Sequence, residues 1–227
     1  MEHGFIDVML EASILVQITM GVMVLMSIYT LYRAIERVIT YSAASDQTVS
    51  FVLGLRGHLK AHRFEDAAKS ADQHTKSPVA KVIGSGLRAY AQGQEALSKQ
   101  GPHDVGEFDL VDSVNRALER VKERETSGLR KGLAGLGTVA TTTPFIGLFG
   151  TVIGIINAFA LLKGNATIEI IGPAIAEALY ATAFGLVVAI IAAIAYNYCT
   201  SRVEEMTVDM NDIASEFLDV CLREGRG

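Results

Sequence analysis

The stretch that decides the fold is residues 144–198, PFIGLFGTVIGIINAFALLKGNATIEIIGPAIAEALYATAFGLVVAIIAAIAYNY. Two long apolar segments meet there at a short polar turn, residues 163–167. The second segment contains the carboxylate of Glu177, and residues 178–201 after it have no charged side chain. Because about 20 apolar residues suffice to cross a bilayer, this segment predicts a membrane-spanning helix. A carboxylate inside such a helix is by default a functional-site hypothesis.

Two other interpretations of Glu177 stay open. The acid could lie at the membrane surface, with the span starting at Ala178, or it could be a structural acid paired with a neighbouring helix. Apolar residues precede it, among them Ile168, Ile170 and Ile171. They favour a helix that starts before the acid and carries it below the membrane surface.

The segment before the polar turn is longer than a bilayer requires. Residues 132–162 have no charge, and a straight helix of that length measures about 46 Å at 1.5 Å per residue. The hydrocarbon core is about 30 Å thick. We therefore expect this helix to tilt or to protrude into the cytoplasm.

Small and hydroxyl-bearing side chains mark this helix. Gly150, Gly154 and Ala158 recur every four residues, and such a row lets helix backbones approach closely in a membrane. Thr143 and Thr151 lie about 80° apart around the helix, on one side. A threonine can also bond a carbonyl of its own helix, so a structural role for each hydroxyl stays open beside a functional one.

The first apolar block predicts another span. Residues 12–32 are uncharged and are followed at once by Arg33 and Arg37, whereas Glu2 and Asp7 precede them. Because Lys and Arg stay on the cytoplasmic side, the N-terminus should be periplasmic. The pattern of a cleaved signal peptide is missing, so we expect the block to be kept as an anchor. A buried helix of a soluble protein is the alternative.

The region between the first two spans is polar and should form a cytoplasmic helical domain. Residues 56–73 predict one short helix, and Ser77 followed by Pro78 is typical of a helix start. Glycines and a proline within residues 91–106 predict a loop. His58 and His62 are four residues apart, but no acidic or cysteine ligand motif accompanies them in the sequence, so we interpret them as surface histidines.

The tail predicts a helix with one apolar seam. Its apolar residues are spaced alternately by three and four positions, as in a heptad repeat. They are Val203, Met206, Met210, Ile213, Phe217 and Val220. The third span should run unbroken into this tail, which packs against helices of another chain or of its own.

Composition limits the possible functions. The chain is 50% hydrophobic with a mean hydropathy of +0.31 and a net charge of −5. A nucleic-acid partner usually requires a basic patch, which this balance does not favour. Cys199 and Cys221 do not have metal-ligand spacing. We therefore expect no nucleic acid, no metal and no cofactor.

The sequence predicts an all-α membrane protein with three transmembrane helices and long cytoplasmic helical extensions. The predicted division is as follows: residues 1–34, the outside N-terminus and first span; 35–130, the cytoplasmic helical domain; 131–163, the second span; 164–168, the outside turn; 169–200, the third span; and 201–227, the cytoplasmic tail.

Two motifs carry a family resemblance: FIGLFGTVIGIINAF, and GPAIAEALYATAFGLVVAIIAAIAYN after it. Over residues 135–198 the chain resembles the MotA/TolQ/ExbB proton-channel family. It is most similar to the ExbB and TolQ branch, because the MotA branch has an additional span. The resemblance implies a pentameric ring in the bacterial inner membrane. This ring would surround the single transmembrane helices of an ExbD/TolR-like partner, which carries a membrane aspartate.

The resemblance also implies a function. Such complexes use the proton-motive force to do work on the outer envelope, through a TonB- or TolA-like or motility-system protein. Matched by motif position, the ion-pathway residues are Thr151, Glu177 and Thr182. The threonines would bond the partner's aspartate, and Glu177 would either polarise the proton entry path or itself titrate. Thr182 and Glu177 lie about 140° apart around their helix, so they cannot face one point.

Several alternatives remain at the sequence level. A passive membrane scaffold or assembly factor without ion transport is the main one, whereas an intramembrane enzyme is disfavoured because the spans hold no catalytic constellation. TonB-linked uptake, Tol-Pal constriction and gliding-type motility use similar subunits, so the system stays open. So does the choice of proton or sodium.

Overall fold

The computed structural model describes residues 13–99, 109–161 and 168–224. All regular structure in these ranges is helical, without a strand. The helices are α1 (Ile14–Lys60), α2 (Phe64–Gln73), α3 (Pro78–Lys99), α4 (Leu110–Arg130), α5 (Leu133–Leu161) and α6 (Ile168–Glu224). The predicted outside turn, apart from Ile168, lies outside the described residues.

Three helical stretches are long and apolar enough to cross a membrane: Ile14–Lys60, Leu110–Ala160 and Ile171–Glu224. Within the second, α5 alone has 29 residues and no charged side chain, a length of about 44 Å. The third runs as one unbroken helix from the span into the tail. The predicted all-α, three-span fold class is confirmed.

The chain forms two compact units. The first, here called the apolar unit, consists of Met1–Glu36 and Gly132–Cys199. The second, here called the charged unit, consists of Arg37–Lys131 and Thr200–Gly227. Each unit therefore takes part of α1 and part of α6.

The apolar unit packs α1, α5 and α6 against one another. Met20 and Met23 of α1 are buried with Ala181 of α6, and Ile146 of α5 packs against them. Large apolar side chains cover the outside of the unit; Leu25, Phe145 and Ile190 are among those more than half exposed. A surface of this kind suits lipid or a neighbouring membrane helix.

The charged unit has a core of large side chains. Fully buried members include Tyr41, Phe51, Leu118 and Phe217. The predicted start of α3 is confirmed, because the backbone N–H of Ala80 donates to Ser77 Oγ at 3.0 Å. This bond satisfies one of the helix's free N–H groups.

The predicted tail seam is buried within the charged unit. Five of its six residues, Val203, Met206, Met210, Ile213 and Phe217, are buried. Val220 is only half-buried, and Cys221 next to it is buried instead. Packing inside one chain is thus sufficient to explain the heptad spacing.

Two helix boundaries in the charged unit were predicted wrongly. The helix expected over residues 56–73 is split, because α1 extends to Lys60 and α2 begins at Phe64. His62 between them has a left-handed backbone, φ 54°, which stops a helix. The loop expected from residue 91 begins later, since residues 91–99 continue α3. Gly93 is buried there, and the helix continues through it despite the low helix propensity of glycine.

Candidate functional site

The spans α5 and α6 meet with their backbones nearly in contact. A Cβ added at Gly154 would lie 2.6 Å from Ala178 Cβ. One added at Gly147 would lie 3.1 Å from both the Ala181 carbonyl oxygen and Thr182 Cα. On the α6 side, a Cβ at Gly185 would lie 2.9 Å from the Thr143 carbonyl oxygen. The lack of a side chain at these glycines permits such close approach.

The row Gly150, Gly154 and Ala158 contacts two neighbouring helices. A Cβ at Gly150 would lie 3.0 Å from Thr19 Oγ1 of α1 and 3.4 Å from Ala181 Cβ of α6. Gly154 packs against Ala178, as described above, and Ala158 is fully buried. The small residues of α5 therefore sit between α1 and α6.

A pair of hydroxyls lies within this close contact. Thr151 of α5 is only 8% exposed, and its Oγ1 touches Thr182 Oγ1 of α6. Thr151 Oγ1 also lies 3.0 Å from the Ala178 carbonyl oxygen and 3.2 Å from that of Gly147. Thr182 Oγ1 lies 3.0 Å from the same Gly147 oxygen. The structure thus brings two of the three predicted pathway residues together.

This arrangement leaves the hydroxyl protons a choice of partners. Each threonine supplies one donor, while the acceptors in reach are two backbone carbonyls and the other hydroxyl. Turning one hydroxyl therefore lets the other turn without leaving a polar group unbonded. A site of this kind can accept from, or donate to, a further carboxyl group at small energetic cost.

The other described threonines of α5 behave differently. Thr138, Thr141, Thr142 and Thr143 each bond the carbonyl four residues earlier in their own helix, at 2.7–3.0 Å. This is the structural role that the sequence left open for them. Thr151 differs because it also reaches a carbonyl of α6.

Glu177 lies on α6 directly before Ala178, whose carbonyl oxygen accepts from Thr151. Its side chain is half-buried. Thr182 follows it five positions later, about 140° around α6. The acid and the hydroxyl pair therefore occupy different sides of the same helix, in the same two turns.

Sequence reasoning missed the backbone part of this site. The carbonyl of Gly147 accepts from both threonines, and Gly185 and Thr19 complete the close contacts. Gly147 had a signal, because it stands midway between Thr143 and Thr151 at four-residue spacing. No sequence signal pointed to Thr19, because a hydroxyl in a membrane span usually bonds its own helix. Thr19 also does so, donating to the Val16 carbonyl at 2.7 Å.

The fold and site define a multi-pass helical membrane protein with hydroxyl groups held between its spans. The model of the MotA/TolQ/ExbB proton channel family matches residues 74–212, and the chain belongs to this family. The match includes all of α5, α6 as far as Asp212, and a large part of the charged unit. The family consists of channel subunits that act in transport.

The relatives fall in the TolQ and ExbB branch. The Tol-Pal system protein TolQ of Haemophilus influenzae is 32% identical over all of this chain and 97% of its own length. TolQ of Pseudomonas aeruginosa is 42% identical over 51% of each chain. The biopolymer transport protein ExbB of Salmonella typhimurium is 32% identical over 80% of this chain and 75% of its own. The chain is accordingly a multi-pass inner-membrane protein.

Proposed function

We propose that this chain is the channel subunit of a motor driven by the proton-motive force. It surrounds the transmembrane helices of an ExbD/TolR-like single-span partner, as a pentamer, and couples ion flow to work on the outer envelope. The branch of the family supports this, since the relatives bear the names of Tol-Pal and biopolymer-transport proteins. TonB-linked uptake, Tol-Pal function and gliding-type motility are the candidate systems.

The observation that carries the proposal is the hydroxyl pair of Thr151 and Thr182. An aspartate inside an apolar ring is costly when charged, so it needs polar groups that adjust to its protonation state. The pair meets this need, because its protons can turn between Gly147, Ala178 and each other. Thr182 is half-buried whereas Thr151 is buried. The partner's aspartate would therefore meet Thr182 first, with Thr151 behind it.

Glu177 has a separate task in this proposal. It lies on another side of α6 from the hydroxyl pair, so it does not share their ligand. We assign it to the proton path that leads to the pair, between neighbouring helices of the ring. Its carboxylate would polarise that path.

The proposed topology follows from the charges beside the spans. Arg33 follows the first span, Arg130 and Lys131 precede the second, and Arg202 follows the third. Cytoplasmic ends of spans are rich in Lys and Arg. The N-terminus is then periplasmic, and the charged unit and the tail are cytoplasmic. We propose the predicted boundaries between spans and extramembrane segments, at residues 34, 130, 163, 168 and 200, as part of this topology.

The test combines assembly with ion flux. The protein is purified from its own host in mild detergent, and native mass analysis identifies the ring and any single-span protein bound to it. The complex is then reconstituted in liposomes for proton-flux measurements. Glu177→Gln and Thr182→Val should lower flux by at least tenfold while the mass of the complex stays the same. Thr138→Val is the matched control, because this exposed hydroxyl bonds only its own helix.

Two results would contradict the proposal. Flux that is equal in all variants would show that the threonine pair and Glu177 are packing residues. A monomer, or a ring without a single-span partner in several detergents, would favour the passive scaffold.

A further inference from the structure

Another polar contact, apart from the threonine pair, joins α5 to the residue that directly precedes α1. Asn157 Nδ2 donates to Ser13 Oγ at 2.8 Å, and both residues are half-buried. Ser13 directly precedes α1, and its carbonyl accepts the first helical bond, from Gln17 N at 3.0 Å. The serine therefore has a fixed place at the start of α1.

Asn157 is conspicuous because of its surroundings in α5. From residue 152 to the end of α5, it is the one side chain that can form strong hydrogen bonds. An amide in an apolar environment is unfavourable unless it is bonded. The bond to Ser13 satisfies one of its N–H groups and ties this end of α5 to the start of α1.

A second contact fixes the same two helices further along. Thr19 of α1 is buried, and its Oγ1 lies 3.0 Å from the position of a Cβ at Gly150. The two contacts are six residues apart at the start of α1 and seven apart on α5, or about 9 Å and about 10.5 Å along the two axes. Two contacts at this separation set both the height and the rotation of α5 against α1.

The rotation of α5 about its own axis determines which neighbouring helix Thr151 contacts. Gly150 contacts Thr19, whereas Thr151, one residue and about 100° further around α5, contacts α6 at Ala178 and Thr182. Turning α5 by a few tens of degrees would take Thr151 away from Thr182.

We propose that the Ser13–Asn157 hydrogen bond is a positioning clasp, which holds α5 in the rotation that brings Thr151 onto Thr182. Asn157 and Ser13 are positioning residues in this inference and do not touch the ion. The inference concerns the pair to which the proposed function assigns ion handling, but its geometry can be tested without any transport.

The test measures the distance between the pair directly. Thr151→Cys and Thr182→Cys are introduced together into the full chain, with Cys199→Ala and Cys221→Ala to remove the native thiols. Because the two hydroxyl oxygens touch, the new thiols should form an intramolecular disulfide under mild oxidation. Protection from alkylation and the intact mass follow its rate.

Asn157→Leu should slow this crosslinking roughly fivefold, as expected for the loss of one interhelical hydrogen bond. Ser13→Ala should act in the same way. The double exchange Ser13→Asn with Asn157→Ser restores donor and acceptor, and it should restore the rate. Ile156→Ala is the matched control at the same depth, since Ile156 is 58% exposed and lies off the clasp.

Crosslinking at the parent rate in Asn157→Leu would overturn the clasp, and so would failure of the exchange to restore it. Flux lowered by Asn157→Leu at an unchanged crosslinking rate would also overturn it, because Asn157 would then act on the ion path itself. Slower crosslinking with unchanged flux would support the clasp and contradict the proposed role of the threonine pair instead. The two proposals therefore fail separately.

Discussion

The apolar and charged units are both helical, but their most prominent contacts differ in kind. In the apolar unit, helices approach through glycine and alanine, so that Gly154 leaves no room for a methyl group beside Ala178. In the charged unit, large side chains such as Tyr41, Phe51 and Phe217 fill the space between helices. The first relies on close backbone approach and the second on buried side-chain area.

The surroundings explain this difference. Water drives large apolar side chains together, whereas lipid gives no such drive between helices, because its chains are as apolar as leucine. Membrane helices gain instead from close contact and from hydrogen bonds between them. The α5–α6 contact of the apolar unit should therefore be sensitive to added atoms, and the large-side-chain core of the charged unit to removed ones.

The largest expected effect is on the charged unit. Phe217→Ala removes a fully buried ring beside Leu118 and Gly86, and such truncations cost about 3–5 kcal/mol. Hydrogen exchange of the full-length protein in detergent should show lost protection in α3, α4 and the tail. Val208→Ala, at a position 54% exposed on the same helix, is the control. Unchanged protection in Phe217→Ala would mean that side-chain packing does not hold this unit.

Adding one methyl group to the apolar unit should have a smaller but clear effect. Gly154→Ala places a Cβ 2.6 Å from Ala178 Cβ, and overpacking of this kind costs about 1–3 kcal/mol. Gly21→Ala is the matched variant in α1, where a Cβ would meet nothing within 4 Å. Thermal unfolding in detergent should show a lower midpoint for Gly154→Ala alone. Equal midpoints would contradict the close backbone contact.

The same contrast explains what the sequence could predict. Spans, the start of α3 at Ser77 and the tail seam follow from local patterns, since apolar periodicity and capping act over a few residues. The end of α1 at Lys60 does not, because it depends on the left-handed backbone at His62. Nor does the length of α3, which continues through Gly93 against the low helix propensity of glycine.

The candidate site, like the fold, could be predicted from the sequence only in part. Thr151 and Thr182 could be assigned from motif positions, and a small-residue row on α5 from its spacing. Their common acceptor, the Gly147 carbonyl, could not, because every residue has a carbonyl and only the crossing of α5 and α6 selects this one. Ser13 and Asn157 lie 144 positions apart, and no local pattern pairs them.

The stability of the charged unit should depend on pH in the alkaline range. Burial, with the nearby Glu224 carboxylate, raises the pKa of Cys221 to about 12 from 9.0, and burial also raises that of Tyr90 to about 12 from 10.0. Both groups hold their protons more tightly when folded. The contribution of each group to the free energy of unfolding is therefore fully present below the pKa that the group has in the unfolded chain. It is lost as the pH rises through the pKa of the folded state, about 12.

The midpoint of thermal unfolding, followed by circular dichroism, should therefore be steady up to about pH 9 and fall above it. Cys221→Ala should make that fall less steep, and Tyr90→Phe should do so to a smaller extent. The slope is the readout, because either substitution also alters packing. A slope that neither variant changes would show that the two groups are not buried in solution as they are in the structure.

The smallest expected effect concerns the charges for which the second unit is named. Arg88 and Asp72 pair at 2.9 Å with side chains 54% and 69% exposed, and exposed pairs contribute about 0–1 kcal/mol. Asp72→Asn should hardly change stability, and 1 M salt should remove what change there is. Arg88 also packs near Gly84, so a cycle with Arg88→Met and the double variant is needed to isolate the pair. A coupling energy between Arg88 and Asp72 well above 1 kcal/mol would mean that ion pairs hold the charged unit together. The comparison between close backbone contact in one unit and buried side chains in the other would then leave out the main stabilising interaction of the charged unit.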